Sequence, residues 1–187
     1  MAAAAYPGSF DPPTVAHLAV ATAAWRQAGL ERVDLVISEA PLGKEGLAVA
    51  TLADRLAVLS EVAATRRWLG ARTTNARLLV DVAAGYDAVI VGADKWAQVI
   101  DPAWYGGSAE ARDEALARLP LVLVAPRPPF PLPPGRQCLE LDDSHGAVSS
   151  SAVRGGRREW MLSEAAAFDR LTGAWSGPGR HRPRRES

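Results

Sequence analysis

Short, unbroken apolar runs alternate along this chain with segments whose apolar residues recur at helical spacing, and that alternation restricts the possible folds more than any other feature. Residues 1–6 lead from Met1 through four alanines to Tyr6 and read as a first strand. The segment Arg32 to Ser38 carries Val33, Leu35, Val36 and Ile37, a run suited to a strand covered on both faces. Two more runs of the same kind are Asp87-Ala88-Val89-Ile90-Val91-Gly92 and Leu121-Val122-Leu123-Val124. Between them the period changes. Leu18, Ala21, Trp25 and Ala28 mark a helix that Gly29 stops. A second helix starts at Thr51, with Asp54 placed for a capping box and Leu52, Leu56, Leu59 and Ala63 as its stripe, and is expected to end near Gly70. A third is expected over residues 110–119. Alternation with short links predicts an α/β domain: a mostly parallel, doubly wound sheet with helices on both faces and its ligands beyond the carboxyl ends of the strands.

Length supports one such domain. At 187 residues and 48% hydrophobic content, the chain buries one sizeable core, expected over residues 1–175. The end, 176–187, mixes Gly, Pro and Arg without an apolar anchor and is expected to be a disordered basic tail. Six prolines between Pro126 and Pro134 predict an extended surface connection, with a proline-recognition ligand as the less favoured reading. Lys+Arg and Asp+Glu both number 21, so there is no global field to gather nucleic acid or an anionic membrane, and any anion must be held locally. Cys138 stands alone, which excludes an internal disulfide and an all-cysteine metal cage. No signal-like start is visible, nor an apolar run near the roughly 20 residues a bilayer requires. The expectation is a cytoplasmic protein without membrane or nucleic-acid partners, for which a homo-oligomer remains compatible.

The glycines that follow two of the strands mark where chemistry would sit. After the first strand runs Gly8-Ser9-Phe10-Asp11-Pro12-Pro13-Thr14-Val15-Ala16-His17. Gly8 lacks a side chain, Pro12 and Pro13 stiffen the bend, and Thr14 and His17 stand at a helix start, where backbone N–H groups and the helix dipole favour phosphate. His17 adds a donor able to become cationic near neutral pH. A tight turn with a capping histidine explains the same composition, and from the loop alone the two readings weigh evenly.

The loop, with the Tyr6-Pro7 before it and Leu18 after it, resembles the signature of the nucleotidylyltransferase superfamily, Gly-x-Phe-Asp-Pro followed by (His or Thr)-x-Gly-His. Thr14 and His17 fill the polar positions; Ala16 stands where the pattern has glycine. Val148-Ser149-Ser150-Ser151-Ala152-Val153-Arg154 is similar to a second segment of that superfamily, Ile-Ser-Ser-(Ser/Thr)-x-x-Arg, which alone would read as an ordinary helix cap. Val91-Gly92-Ala93-Asp94 resembles its Gly-x-Asp turn. Over roughly residues 4–165 the resemblance implies a single Rossmann-like domain. It implies nucleotide contacts from Gly8, Ser9, Phe10, Gly92, Asp94, Ser149, Ser150 and Ser151, and catalytic roles for His17, Thr14 and Arg154.

Within the superfamily, Ala40-Pro41-Leu42-Gly43-Lys44-Glu45-Gly46-Leu47 followed by Leu52-Ala53-Asp54-Arg55-Leu56 looks like the acceptor side of nicotinamide or nicotinate mononucleotide adenylyltransferases. That implies acceptor contacts from Lys44 and Arg55, and stacking on a pyridine ring by Trp96 or, preferably, Trp104. Isolated charges are usually solvated and most of six tryptophans usually pack, so these assignments rest on the resemblance. The first loop reads closest to phosphopantetheine adenylyltransferase, but it concerns the triphosphate and discriminates acceptors poorly.

The implied partners are ATP and a small phosphorylated acceptor. The implied reaction is in-line attack of the acceptor phosphate on the α-phosphorus, with Mg²⁺ travelling with the nucleotide and no protein metal site. Asp142-Asp143-Ser144-His145 superficially offers metal ligands but reads better as a polar turn. Phosphate-loop, dinucleotide and hydrolase-elbow motifs are missing. A cytidylyltransferase, a nucleotide-binding relative without turnover and, remotely, an RNA-binding tail are the competing readings.

Overall fold

The computed structural model describes residues 2–39 and 49–177. Lys44 and residues 178–187 of the expected tail lie outside them. Six strands form one sheet: β1 (Ala3–Pro7), β2 (Arg32–Ser38), β3 (Leu69–Thr74), β4 (Ala88–Gly92), β5 (Leu121–Ala125) and β6 (Gln137–Cys138). Their order is β3-β2-β1-β4-β5-β6, and every pairing is parallel. Among the described residues, seven α-helices connect and flank them: α1 (Val15–Gln27), α2 (Leu52–Ala64), α3 (Leu79–Val82), α4 (Ala93–Val99), α5 (Ala109–Ala117), α6 (Ser150–Arg154) and α7 (Ser163–Thr172).

The period of two in the strands divides the core into two layers. Ala4 and Tyr6 of β1, Val33, Leu35 and Ile37 of β2, and Ile90 of β4 pack with α1, α2 and α7 on one face. Ala5, Val36, Val89, Val91, Val122 and Val124 point the other way, toward α3, α4 and the end of α5. Helices therefore cover both faces, as the alternation predicts. No helix among the described residues is long and apolar enough to cross a membrane.

Two sequence expectations change. The second helix stops at Ala64 rather than near Gly70, because Gly70 lies inside β3, an edge strand whose outer half is polar. Gly70 is required there: a Cβ would lie 2.0 Å from Asp34 Oδ1 and 2.2 Å from an Arg32 nitrogen. Asp34 is the one polar residue inside the β2 apolar run, and it is buried. It accepts from Arg32 Nε at 2.7 Å and from the Tyr86 hydroxyl at 3.0 Å, and pairs with Arg72 Nε at 2.9 Å. Those partners make a buried carboxylate tolerable. Also absent from the sequence expectations are the helices α3, α4 and α7, and β6, whose two residues are too short to leave a pattern.

Burial, then the Asp34 charge, pushes the Tyr86 hydroxyl up to about 12. A folded-state pKa above the unfolded value of about 10 means that the stability Tyr86 contributes is complete below pH 10 and lost as pH rises toward 12. Urea unfolding at pH 9 and 12 is expected to show a smaller alkaline loss for Tyr86→Phe than for the parent; equal losses would contradict this coupling.

Candidate active site

The order of the sheet reverses between β1 and β4, so the loops leaving their carboxyl ends splay apart and leave a crevice. The β1 loop enters it through Gly8, whose N–H donates to Val36 O at 3.0 Å. Phe10 follows with φ at 45°, a left-handed conformation that a bulky residue adopts only when its surroundings hold it. They do. The Phe10 ring is fully buried and meets the Tyr6 and His17 rings edge-on, with centroids 5.6 and 5.0 Å away. It also fills the space beside Gly8, where an added Cβ would stand 2.8 Å from the ring. Phe10 therefore supports the loop from beneath, and its buried ring is not among the groups that line the cleft.

His17, on the first turn of α1, bends back over Thr14. The Thr14 N–H donates to His17 Nδ1 at 3.0 Å, and the Thr14 hydroxyl lies 2.9 Å from the same nitrogen. A backbone N–H can only donate, so Nδ1 supplies a lone pair and the ring proton resides on Nε2. With Nδ1 taken up by Thr14, the imidazole is held in one orientation, with Nε2 as its remaining nitrogen. Thr14 is completely buried in the cleft wall, and its hydroxyl and N–H both meet His17 Nδ1, which orients the ring.

On the opposite wall, each serine hydroxyl of the second motif has a task within the protein. Ser149 caps α6 by accepting from Ala152 N, Ser150 donates to Pro12 O at 2.7 Å, and Ser151 accepts from Arg154 Nη2 at 3.3 Å. Arg154 also donates to the Asp11 carbonyl. The two motifs, about 140 residues apart, are stitched into one wall.

These walls enclose a cleft of about 350 Å³, lined among others by Gly8, Ser9, Thr14, Ala16, His17, Gly92, Asp94, Lys95, Arg127, His145, Ser149, Ser150, Ser151 and Arg154. Its size falls within the usual range for small-ligand sites. Ala16 contributes a largely buried methyl to its floor. A Cβ at Gly92 would meet Asp94 Oδ1 at 2.4 Å, because that carboxylate folds over the turn. The Tyr6 hydroxyl is held protonated chiefly by burial and further by Asp94. Asp142, Asp143 and His145 form a polar turn in which Asp142 accepts from Ser144 N, as expected, although the turn also borders the cleft. Among the described residues, no group of three or more His, Cys, Asp or Glu could hold a metal ion.

A second, more apolar cavity of about 190 Å³ adjoins the first and shares Pro7, Gly8, Ser9, Gly92 and Lys95 with it. Trp104 and Tyr105 line it together with Ser38, Arg77, Leu78, Leu79 and Val99. Trp104 thus lines the more apolar cavity. Trp96 does not: it is buried in the core layer under α4, with the Arg136 guanidinium 5.0 Å over its ring. Arg55 is also moved from its expected role. It is buried, donates to Ser9 O at 2.8 Å, and braces the first loop from behind, where burial lowers its pKa against the opposing pull of Asp11.

Several cleft residues escape the motif reading. Lys95 borders both cavities and directly follows the Gly-x-Asp turn, a position that could have signalled it. Arg127 donates to Val148 O at 2.7 Å and Gly146 O at 3.3 Å, joining the β5 end to the serine segment; only its place two residues beyond a strand hints at this.

A parallel sheet with a two-lobed cleft at its reversal point, walled by an oriented histidine and a cation-bearing serine segment, defines a Rossmann-like α/β domain with its cleft at the switch point. Residues 5–156 match the Cytidylyltransferase-like family, and the chain belongs to that family of nucleotidyltransferases. The structure of Plasmodium falciparum nicotinic acid mononucleotide adenylyltransferase complexed with NaAD is similar with a TM-score of 0.69 at 13% identity, over 92% of this chain and 96% of that one. Likeness at that identity bears on the fold. No curated protein matches this sequence.

Proposed function

We propose that this nucleotidyltransferase moves AMP from ATP to nicotinate or nicotinamide mononucleotide and releases pyrophosphate. The observation that carries this reading is the pair of cavities meeting at one glycine-lined wall, one polar and bearing His17 and Arg154, the other apolar and bearing Trp104. A triphosphate suits the first and a flat heteroaromatic mononucleotide the second, so that the acceptor phosphate and the α-phosphorus meet beside Gly8 and Gly92. The Plasmodium neighbour of the same fold, solved with NaAD, supports this choice of acceptor.

Catalysis on this reading is positioning plus charge stabilisation. His17 Nε2–H stabilises charge developing on the phosphoryl oxygens, and Arg154 holds the departing pyrophosphate. Asp94 accepts hydroxyl hydrogen bonds from the nucleotide. The acceptor phosphate is already ionised, so the chain supplies no general base. Mg²⁺ would neutralise the phosphate charge; it is hard and keeps phosphate and water ligands, which fits a cleft where, among the described residues, no three His, Cys, Asp or Glu side chains gather.

Pyrophosphate release, measured with ATP or CTP against both pyridine mononucleotides, phosphopantetheine and simple sugar or polyol phosphates, tests the assignment. CTP belongs in the panel because the family description names cytidylyl transfer. Turnover with ATP and a pyridine mononucleotide is expected; turnover only with CTP or a non-pyridine acceptor would replace the reading. Trp104→Ala is expected to raise KM for the acceptor about tenfold, a stacking loss of about 1–1.5 kcal/mol, and to leave KM for ATP within twofold. Trp96→Phe, changing a core residue, is expected to alter stability and not that ratio.

A further inference from the structure

Asp11 is the one acidic residue of the first loop, and it is buried beneath that loop rather than displayed in the cleft. Its carboxylate is a junction. Oδ2 accepts from Val49 N at 2.8 Å and lies 3.9 Å from Arg154 Nη1, while Oδ1 accepts from Ala50 N at 3.1 Å and from Trp175 Nε1 at 2.7 Å. Trp175 lies 19 residues beyond the end of the family match at residue 156. A second buried carboxylate holds it there: Asp169 Oδ1 accepts from Trp175 N at 2.7 Å and Ser176 N at 3.1 Å, after Gly173 turns the chain with φ at 62°. Two buried aspartates thus hold this segment, Asp11 met by N–H donors with the Arg154 guanidinium close by and Asp169 by the N–H groups of Trp175 and Ser176, and buried carboxylates are costly to maintain without such partners.

We infer that Trp175 is a positioning residue for nucleotide binding: its indole N–H holds the Asp11 carboxylate on the α2 side of the loop and so keeps Arg154 available to outer phosphates. The inference rests on the nucleotide reading of the cleft. The physical step is a competition. Oδ2 already stands 3.9 Å from the Arg154 guanidinium, and removal of the short Trp175 bond leaves Oδ1 with Ala50 N alone. A buried carboxylate short of a donor turns to the nearest cation. Arg154 would then pair with Asp11 side chain and backbone together and be withdrawn from the cleft, while the Val49 and Ala50 amides lose their acceptor.

Trp175→Phe tests this, since it keeps the aromatic packing against Phe168 and removes one donor. Val62→Ala, which truncates a fully buried residue near the end of α2, serves as a core-destabilising control. The readouts are ATP affinity by titration calorimetry, which needs no acceptor, and amide exchange at Val49 and Ala50. Trp175→Phe is expected to weaken ATP about tenfold and speed exchange at both amides, whereas Val62→Ala lowers Tm and leaves ATP affinity within twofold. Equal ATP affinity in Trp175→Phe and the parent overturns the inference, as does an equal loss in Val62→Ala. If the parent binds no ATP, the nucleotide reading fails by itself, and unchanged exchange at Val49 and Ala50 in Trp175→Phe then overturns the latch separately.

Discussion

His17→Ala is expected to lower kcat by about 10²–10³ while changing stability by no more than about 1 kcal/mol. The first number is what removal of one preorganised donor to developing oxyanion charge costs in comparable sites. The second follows from the helix: alanine is a favourable residue on a first turn, and the main loss is the acceptor that His17 Nδ1 offers to Thr14 N, a capping interaction worth about that much. The separation is the diagnostic part. A histidine that only capped α1 would show the stability loss and no large kinetic one, and a kcat within threefold of the parent, measured by pyrophosphate release with Tm followed in parallel, would remove His17 from the mechanism.

The second large effect is expected from a single methyl group. Gly8→Ala places a Cβ 2.8 Å from the Phe10 ring, nearer than real Cβ contacts come, and that ring cannot withdraw because Tyr6 and His17 press on it. The loop must shift instead. Overpacking of this kind costs about 1–3 kcal/mol, and a displacement of about 1 Å in a positioned loop costs on the order of a hundredfold in rate. Gly92→Ala has a different outcome although its gap is narrower, because the group in the way is the end of the Asp94 side chain, which can rotate. Stability should hold and ATP affinity fall. Denaturant unfolding and kcat for the two variants check the contrast; a Gly8→Ala enzyme with parental kcat would mean that the Phe10 platform does not set the loop.

These effects also show which parts of the molecule are legible in sequence. The four long buried strands are visible because burial on both faces leaves unbroken apolar runs, and the helices from α1 to α2 because their stripes and caps, such as Thr51 with Asp54, are local. The strand β3 is hidden because an edge strand can be polar, and Gly70 then resembles a helix stop. Motif residues announce that they belong to the site but not how they serve it. Phe10 and Arg55 support the loop, Thr14 aims His17, and the serines of 149–151 spend their hydroxyls within the protein. Which tryptophan faces the apolar cavity depends on how α4 turns Trp96 into the core and how the following turn presents Trp104, and no local pattern encodes that. The Trp175–Asp11 contact spans 164 residues and has no periodicity to reveal it.

The central claim is that the two cavities serve one direct transfer. Incubating the protein with ATP labelled at the α-phosphorus, Mg²⁺ and nicotinate or nicotinamide mononucleotide, and following the label, tests it most directly. The label should appear in the dinucleotide in step with pyrophosphate, only when acceptor is present, and never on the protein. Label released as free AMP, retained on the protein, or left in ATP with every pyridine acceptor would contradict the account.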